Sequence, residues 1–124
     1  MLNVLAVFIG GGIGASLRYL IGVACLNYLK TTLPVATFAV NIAGCFILGF
    51  LYIYFTEKYQ IPQNAKIALT AGFCGGLTTF STFSLEIMEM IKNTQILHAC
   101  IYVILSVFCG ILAVYIGGSF AKFL

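Results

Sequence analysis

The stretch from Gly72 to Ser84 places glycine and hydroxyl side chains in the middle of an apolar segment, residues 65–91. That segment is long enough to cross the roughly 30 Å of hydrocarbon in a bilayer as a helix. Glycine weakens a helix, and backbone groups freed at bilayer depth cost several kcal/mol each unless protein buries them or they line a cavity. The stretch therefore predicts a membrane helix that is interrupted at a functional site.

The composition agrees with a membrane location. Of 124 residues, 62% are hydrophobic and 7% are charged, whereas about 25% are charged in a typical soluble domain. So few charges form no basic patch for a nucleic-acid backbone, which excludes nucleic acid as a partner. The sequence shows neither a nucleophile–base pair nor a metal-ligand cluster, so we do not expect an enzyme.

Hydropathy predicts an all-α membrane protein with one domain over residues 1–124. Its four spans are 4–29, 34–55, 65–91 and 96–120, joined by short connections that include Lys30–Thr32. Lysines are nearly balanced between the two faces: Lys58, Lys66 and Lys122 against Lys30 and Lys92. This balance could be accidental, but in so small a chain it favours insertion in both orientations and an antiparallel homodimer.

Small residues recur four positions apart in three of the spans, which lets helix backbones approach each other closely. We expect these residues to serve helix packing. The pairs are Gly10 and Gly14, Gly72 and Gly76, and Ala113 and Gly117.

Several polar and aromatic side chains at membrane depth are candidates for an ion path. Arg18 either attracts anions in a vestibule or anchors the helix. The Asn41 amide either joins helices or offers N–H donors to a pore. Phe80 and Phe83 share one helix face, and the positive edges of aromatic rings suit an anion. The remaining candidates carry hydroxyls: Ser81, Thr82, Tyr102 and Ser106.

The interruption itself has two electrostatic poles. A helix that ends near Gly75 presents unpaired carbonyls, which suit a cation such as sodium. A helix that starts near Thr79 presents unpaired N–H groups, which suit an anion.

Three motifs together resemble the Fluc/CrcB family of fluoride channels over the whole chain. They are the glycine-rich run from Gly11 to Tyr19, Asn41-Ile-Ala-Gly44, and the run from Gly72 to Phe83. The resemblance implies a dual-topology antiparallel homodimer in the bacterial inner membrane, with two fluoride pores and a structural sodium ion on the dimer axis. This chain has glycine at position 110, where some members of the family have a serine that adds a further hydroxyl.

The resemblance also implies a role for each candidate residue. The backbone carbonyls of Gly75 and Thr78 would hold the sodium ion, and Phe80 and Phe83 would form a paired aromatic box. Asn41 would be the pore amide, and Arg18 would lie in the vestibule. Tyr102 and Ser106 would form a polar track, with Ser81 and Thr82 nearby. Glu86 would be a charged neighbour of this path on the third span.

The function that these features favour is a passive, fluoride-selective channel that exports fluoride from the cell. The alternative is a proton-coupled exporter of the small dual-topology type. Such an exporter needs a carboxylate deep in its first span, where this chain has Arg18. A purely structural membrane protein does not explain the polar residues around an interruption.

Overall fold

The computed structural model describes residues 1–30 and 34–124, and these ranges are helical apart from short connections. Helix α1 is Leu2–Leu29, and α2 is Val35–Ile53, which one π-helical turn, Tyr54–Lys58, extends. Helix α3 covers residues 63–77 and consists of Gln63–Ile67, the π-helical Ala68–Cys74 and a last turn, Gly75–Leu77. Helix α4 is Phe80–Lys92, and α5 is Ile96–Phe123.

Within residues 1–30 and 34–124, three helical segments are long and apolar enough to cross a membrane, namely Leu2–Leu29, Val35–Lys58 and Ile96–Phe123. Large apolar side chains such as Phe8, Ile104 and Phe108 are mostly exposed on their outer faces. A surface of this kind suits lipid rather than water. The chain is therefore a multi-pass membrane protein. The predicted connection Lys30–Thr32 falls partly on residues 31–33, which lie outside the described ranges.

Helix α1 packs along α3, and glycines make this approach possible. A Cβ on Gly10 would overlap the carbonyl of Ala68, and one on Gly14 would overlap the carbonyl of Phe73. From the other side, Gly72 lies against the backbone of Gly10. The prediction that these small residues serve helix packing is confirmed.

Helix α2 packs along α5 in the same manner. A Cβ on Gly49 would overlap the carbonyl of Val114, and one on Gly117 would overlap the carbonyl of Phe46. Ala113 is buried in the same contact. The structure thus joins α1 to α3 and α2 to α5 by backbone contact.

Helix α4 is attached to α5 and α2 through a small apolar core. Phe83, Met90, Ala99 and Tyr102 are buried together, and Phe38 packs against them. This core fixes the rotation of α4, so that Phe83 and Tyr102 meet beside the gap between α3 and α4.

Candidate functional site

The gap between α3 and α4 consists of two extended residues. Thr78 has φ −80° and ψ 158°, and Thr79 has φ −151° and ψ 121°. The N–H and the hydroxyl of Thr78 both donate to the carbonyl of Cys74, at 3.0 and 2.9 Å. The carbonyl end of α3 and the N–H end of α4 therefore lie on either side of a short gap.

Thr79 caps the start of α4. Its hydroxyl oxygen accepts from the Thr82 N–H at 3.2 Å, and its hydroxyl donates to Thr82 Oγ1 at 3.0 Å. Threonine is a good N-cap because its oxygen replaces the missing backbone acceptor of a first-turn N–H. Ser81 Oγ lies 3.3 Å from the same hydroxyl. The predicted residues Ser81 and Thr82 thus lie in the first turn of α4, at the positive end of its dipole.

Asn41 of α2 bonds the backbone of Thr79 in the gap. The N–H of Thr79 donates to Asn41 Oδ1 at 2.7 Å, and Asn41 Nδ2 donates to the Thr79 carbonyl at 3.1 Å. The two sequence alternatives for Asn41 are therefore compatible. One amide hydrogen joins the helices, and the second has no partner among the residues that the structure describes.

Arg18 reaches the carbonyl end of α3. Its Nε donates to the carbonyl of Gly76 at 3.1 Å, and the side chain is partly buried. A cation at a helix C-terminus is favourable because it opposes the negative end of the dipole. Of the two alternatives for Arg18, this contact is the one expected of an anchor, and the vestibule role stays a prediction.

The two predicted aromatic residues are neighbours with different surroundings. The ring centroids of Phe80 and Phe83 are 5.9 Å apart. Phe83 is buried, with its ring 5.0 Å from that of Tyr102 in an edge-to-face arrangement. Phe80 is 79% exposed, so most of its ring makes no contact within one chain.

A groove of about 460 Å³ runs beside the gap and is open on one side. Within the described chain, Ser106 Oγ is a buried side-chain atom without a hydrogen-bond partner, and it lies in this lining. Ser81, Thr82, Tyr102 and Arg18 lie outside the lining. The groove brings together six of the predicted residues: Asn41, Gly75, Thr78, Phe80, Phe83 and Ser106.

Next to the groove, Glu86 is held by two hydroxyls. Thr37 donates to one carboxylate oxygen at 2.6 Å, and Tyr102 donates to the other at 2.9 Å. Both donors are buried. Sequence reasoning missed Thr37. The available signal is its spacing, since Thr37 lies four residues before Asn41 and so shares its face of α2.

Comparison with known proteins agrees with this architecture. The family model described as CrcB-like protein, Camphor Resistance (CrcB), matches residues 5–118. The fluoride-specific ion channel FluC of Flavobacterium psychrophilum is 41% identical over 122 residues, which is 98% of each chain. FluC of Hydrogenobaculum sp. is 41% identical over 94% of each chain. FluC of Phocaeicola vulgatus is 42% identical over 94% of this chain and 96% of its own. The family model over residues 5–118 and these matches over nearly the whole chain show that the chain belongs to the CrcB family.

Proposed function

We propose that this chain forms a passive, fluoride-selective channel that exports fluoride and lowers its cytoplasmic concentration. The observation that carries the proposal is the groove beside the gap, in which the unpartnered Ser106 hydroxyl, the Asn41 amide and the Phe80 ring lie together. Hydroxyls, amide N–H groups and ring edges can all replace water around a small anion. Relatives named fluoride-specific ion channels match nearly the whole chain.

The proposed working unit is an antiparallel homodimer in the bacterial inner membrane, with α3 and α4 forming a third, interrupted span within one domain over residues 1–124. Two observations support it. The groove is open, and Phe80 in its lining is mostly exposed, so a second copy can supply a further wall. The nearly equal numbers of lysines on the two faces favour insertion in both orientations.

Fluoride would enter from water and exchange part of its hydration shell for protein donors. The second N–H of Asn41 and the Ser106 hydroxyl supply hydrogen bonds, and Phe80 and Phe83 supply positive ring edges. The dipole of α4 lowers the energy of an anion near Ser81 and Thr82. A narrow path excludes larger halides, since they fit poorly and gain less from these donors.

The residues at the end of α3 fit a structural sodium ion, whose ligands would be the carbonyls of Gly75 and Thr78. The Thr79 N–H, which would bond the Gly75 carbonyl in a continuous helix, is directed to Asn41 instead. Thr78 is extended, so its own carbonyl leaves the helical direction. Backbone carbonyls suit a hard alkali cation. When bound, the ion neutralises the negative end of α3 next to an anion path.

Removing sodium from both sides of the membrane should reduce fluoride efflux from liposomes. A bound cation would neutralise the carbonyl end of α3 beside the anion path, so its loss would disfavour an anion there. Efflux is measured with a fluoride electrode in sodium or N-methyl-glucamine buffers at equal ionic strength. Equal rates in the two buffers, after exhaustive dialysis, contradict the proposed cation site.

Replacing Thr37 by valine should destabilise the protein by about 1.5–3 kcal/mol, the value of a hydrogen bond to a charged group. The change keeps the shape of the side chain but leaves Glu86 with one hydroxyl donor of its two. Thermal unfolding in detergent measures the effect. Thr70→Val is the matched control, because the Thr70 hydroxyl bonds only the Lys66 carbonyl in its own helix. Equal losses in the two variants would show that the contact with Glu86 is of no special importance.

Passive flow is distinguished from proton-coupled export by an imposed pH gradient. We expect the initial rate of fluoride efflux to follow the fluoride gradient and the membrane potential, with no further dependence on a gradient of pH. The assay uses liposomes whose potential is clamped with potassium and valinomycin. Efflux that requires a proton gradient, and that moves fluoride against its own gradient, would support the exporter instead.

A further inference from the structure

Asn41 lines the same groove as Gly75 and Thr78, the proposed cation ligands, and its amide bonds the backbone of Thr79. We propose that Asn41 is a positioning residue for the cation site. Its amide bonds the backbone of Thr79, so the Thr79 N–H does not donate to the Gly75 carbonyl, and that carbonyl stays available to a cation. This inference rests on the proposed function and on its sodium site. It assigns to Asn41 an effect on cation binding, in addition to any donation to fluoride.

The Thr79 N–H does not have the partner that a continuous helix would give it. In an α-helix, each N–H donates to the carbonyl four residues earlier, so the partner of the Thr79 N–H would be the Gly75 carbonyl. In the structure this N–H donates to Asn41 Oδ1 at 2.7 Å. The Gly75 carbonyl, at the negative end of α3, therefore loses its regular donor and becomes available to a cation.

The direction of the chain at Thr79 also depends on Asn41. Asn41 Nδ2 donates to the Thr79 carbonyl at 3.1 Å, so one amide binds both backbone groups of the same residue. In an antiparallel β-sheet, a residue likewise exchanges both of its backbone hydrogen bonds with one neighbour. The pair of bonds from Asn41 therefore favours the extended conformation of Thr79, with φ −151°. The extended conformation in turn keeps Thr78 and Thr79 out of helical register. Without Asn41, the Thr79 N–H can return to the Gly75 carbonyl and extend α3.

The polar groups nearest to the gap in the described chain bond other atoms and do not replace Asn41. Arg18 donates to Gly76 and not to Gly75. The Thr78 hydroxyl and N–H are used on the Cys74 carbonyl. Among the contacts of the described chain, only Asn41 controls the donor that would otherwise occupy the Gly75 carbonyl.

Two variants separate the acceptor of Asn41 from its donor. Asn41→Leu has nearly the same shape and removes both hydrogen bonds. Asn41→Asp keeps an acceptor for the Thr79 N–H but loses the N–H donors. The readout is the thermal unfolding of purified protein in detergent as sodium replaces N-methyl-glucamine, which gives the sodium concentration for half of the full stabilisation. Fluoride efflux is measured on the same preparations.

For Asn41→Leu, we expect this sodium concentration to rise about tenfold, which corresponds to the roughly 1.4 kcal/mol of one hydrogen bond. Thr70→Val, which changes a hydroxyl elsewhere in the groove lining, should leave the value at that of the unchanged protein. If Asn41→Leu keeps the sodium response of the unchanged protein and loses only fluoride efflux, Asn41 is a pore donor alone and the inference is wrong.

Asn41→Asp provides the same test if the leucine variant does not fold. Its sodium midpoint should stay within about threefold of the unchanged protein, since the acceptor that captures Thr79 is retained, while the lost donors reduce fluoride efflux. A tenfold weaker sodium response contradicts the inference. If the unchanged protein shows no stabilisation by sodium, the inference also fails, whereas fluoride efflux from that preparation tests the channel separately.

Discussion

Liposomes that carry the double variant Phe80→Ile and Phe83→Ile should release fluoride no faster than protein-free liposomes. Isoleucine keeps a large apolar side chain but lacks the positive ring edge that can face an anion. Phe80 is mostly exposed within one chain, so its replacement costs the fold of that chain little stability. Phe83 packs on Tyr102, and a change of shape there costs about 1–3 kcal/mol. Isoleucine keeps both positions apolar, so we expect the dimer still to assemble, and size-exclusion chromatography checks this.

A matched control is available on α5, outside the groove lining. Phe120 on α5 packs against Phe46 and Phe50 of α2, with ring centroids 6.4 and 6.1 Å apart, away from the groove. Phe120→Ile should leave fluoride efflux near that of the unchanged protein. Efflux that persists in the Phe80/Phe83 double variant contradicts an anion path along these rings.

Replacing Gly14 by valine should give little or no folded protein. A Cβ at Gly14 would overlap the carbonyl of Phe73 and press on the N–H of Leu77. The overlap is with backbone, which cannot rotate away, so α1 and α3 must separate. Overpacking costs about 1–3 kcal/mol even where side chains can adjust, and a backbone clash exceeds this. The yield of monodisperse protein in detergent measures the loss.

Gly22→Val is the control for this substitution. It lies on the same helix, and a Cβ there has no neighbour within 4 Å in the described structure. It should be recovered at nearly the yield of the unchanged protein. Equal losses at Gly14 and Gly22 would mean that valine harms α1 in general, and that close contact with α3 is unimportant.

Much of the fold can be predicted from the sequence because the bilayer restricts the choices. Apolar runs of spanning length must be helices, and the small residues at Gly10 and Gly14 indicate where two backbones meet. The gap is also predictable, because Gly75 and Gly76 weaken a helix immediately before Thr79, a residue type that favours helix starts. These signals are local, and the sequence contains them directly.

The partners of the polar side chains could not be predicted in the same way. Thr37 and Glu86 are 49 positions apart in the chain, and Arg18 and Gly76 are 58 apart. The first contact depends on how α2 and α4 are rotated against each other, and the second on how α1 and α3 are. Hydropathy does not determine these rotations in an apolar solvent, where every face of a helix is apolar. The sequence therefore left Arg18 between two roles and missed Thr37.

The most direct test of the central claim compares fluoride and chloride in one preparation. Liposomes containing the purified protein are loaded with both salts, potassium flow is opened with valinomycin, and each anion is followed with its own electrode. The account expects rapid fluoride efflux with chloride retained at the level of protein-free liposomes. Chloride efflux that keeps pace with fluoride would contradict a fluoride-selective channel.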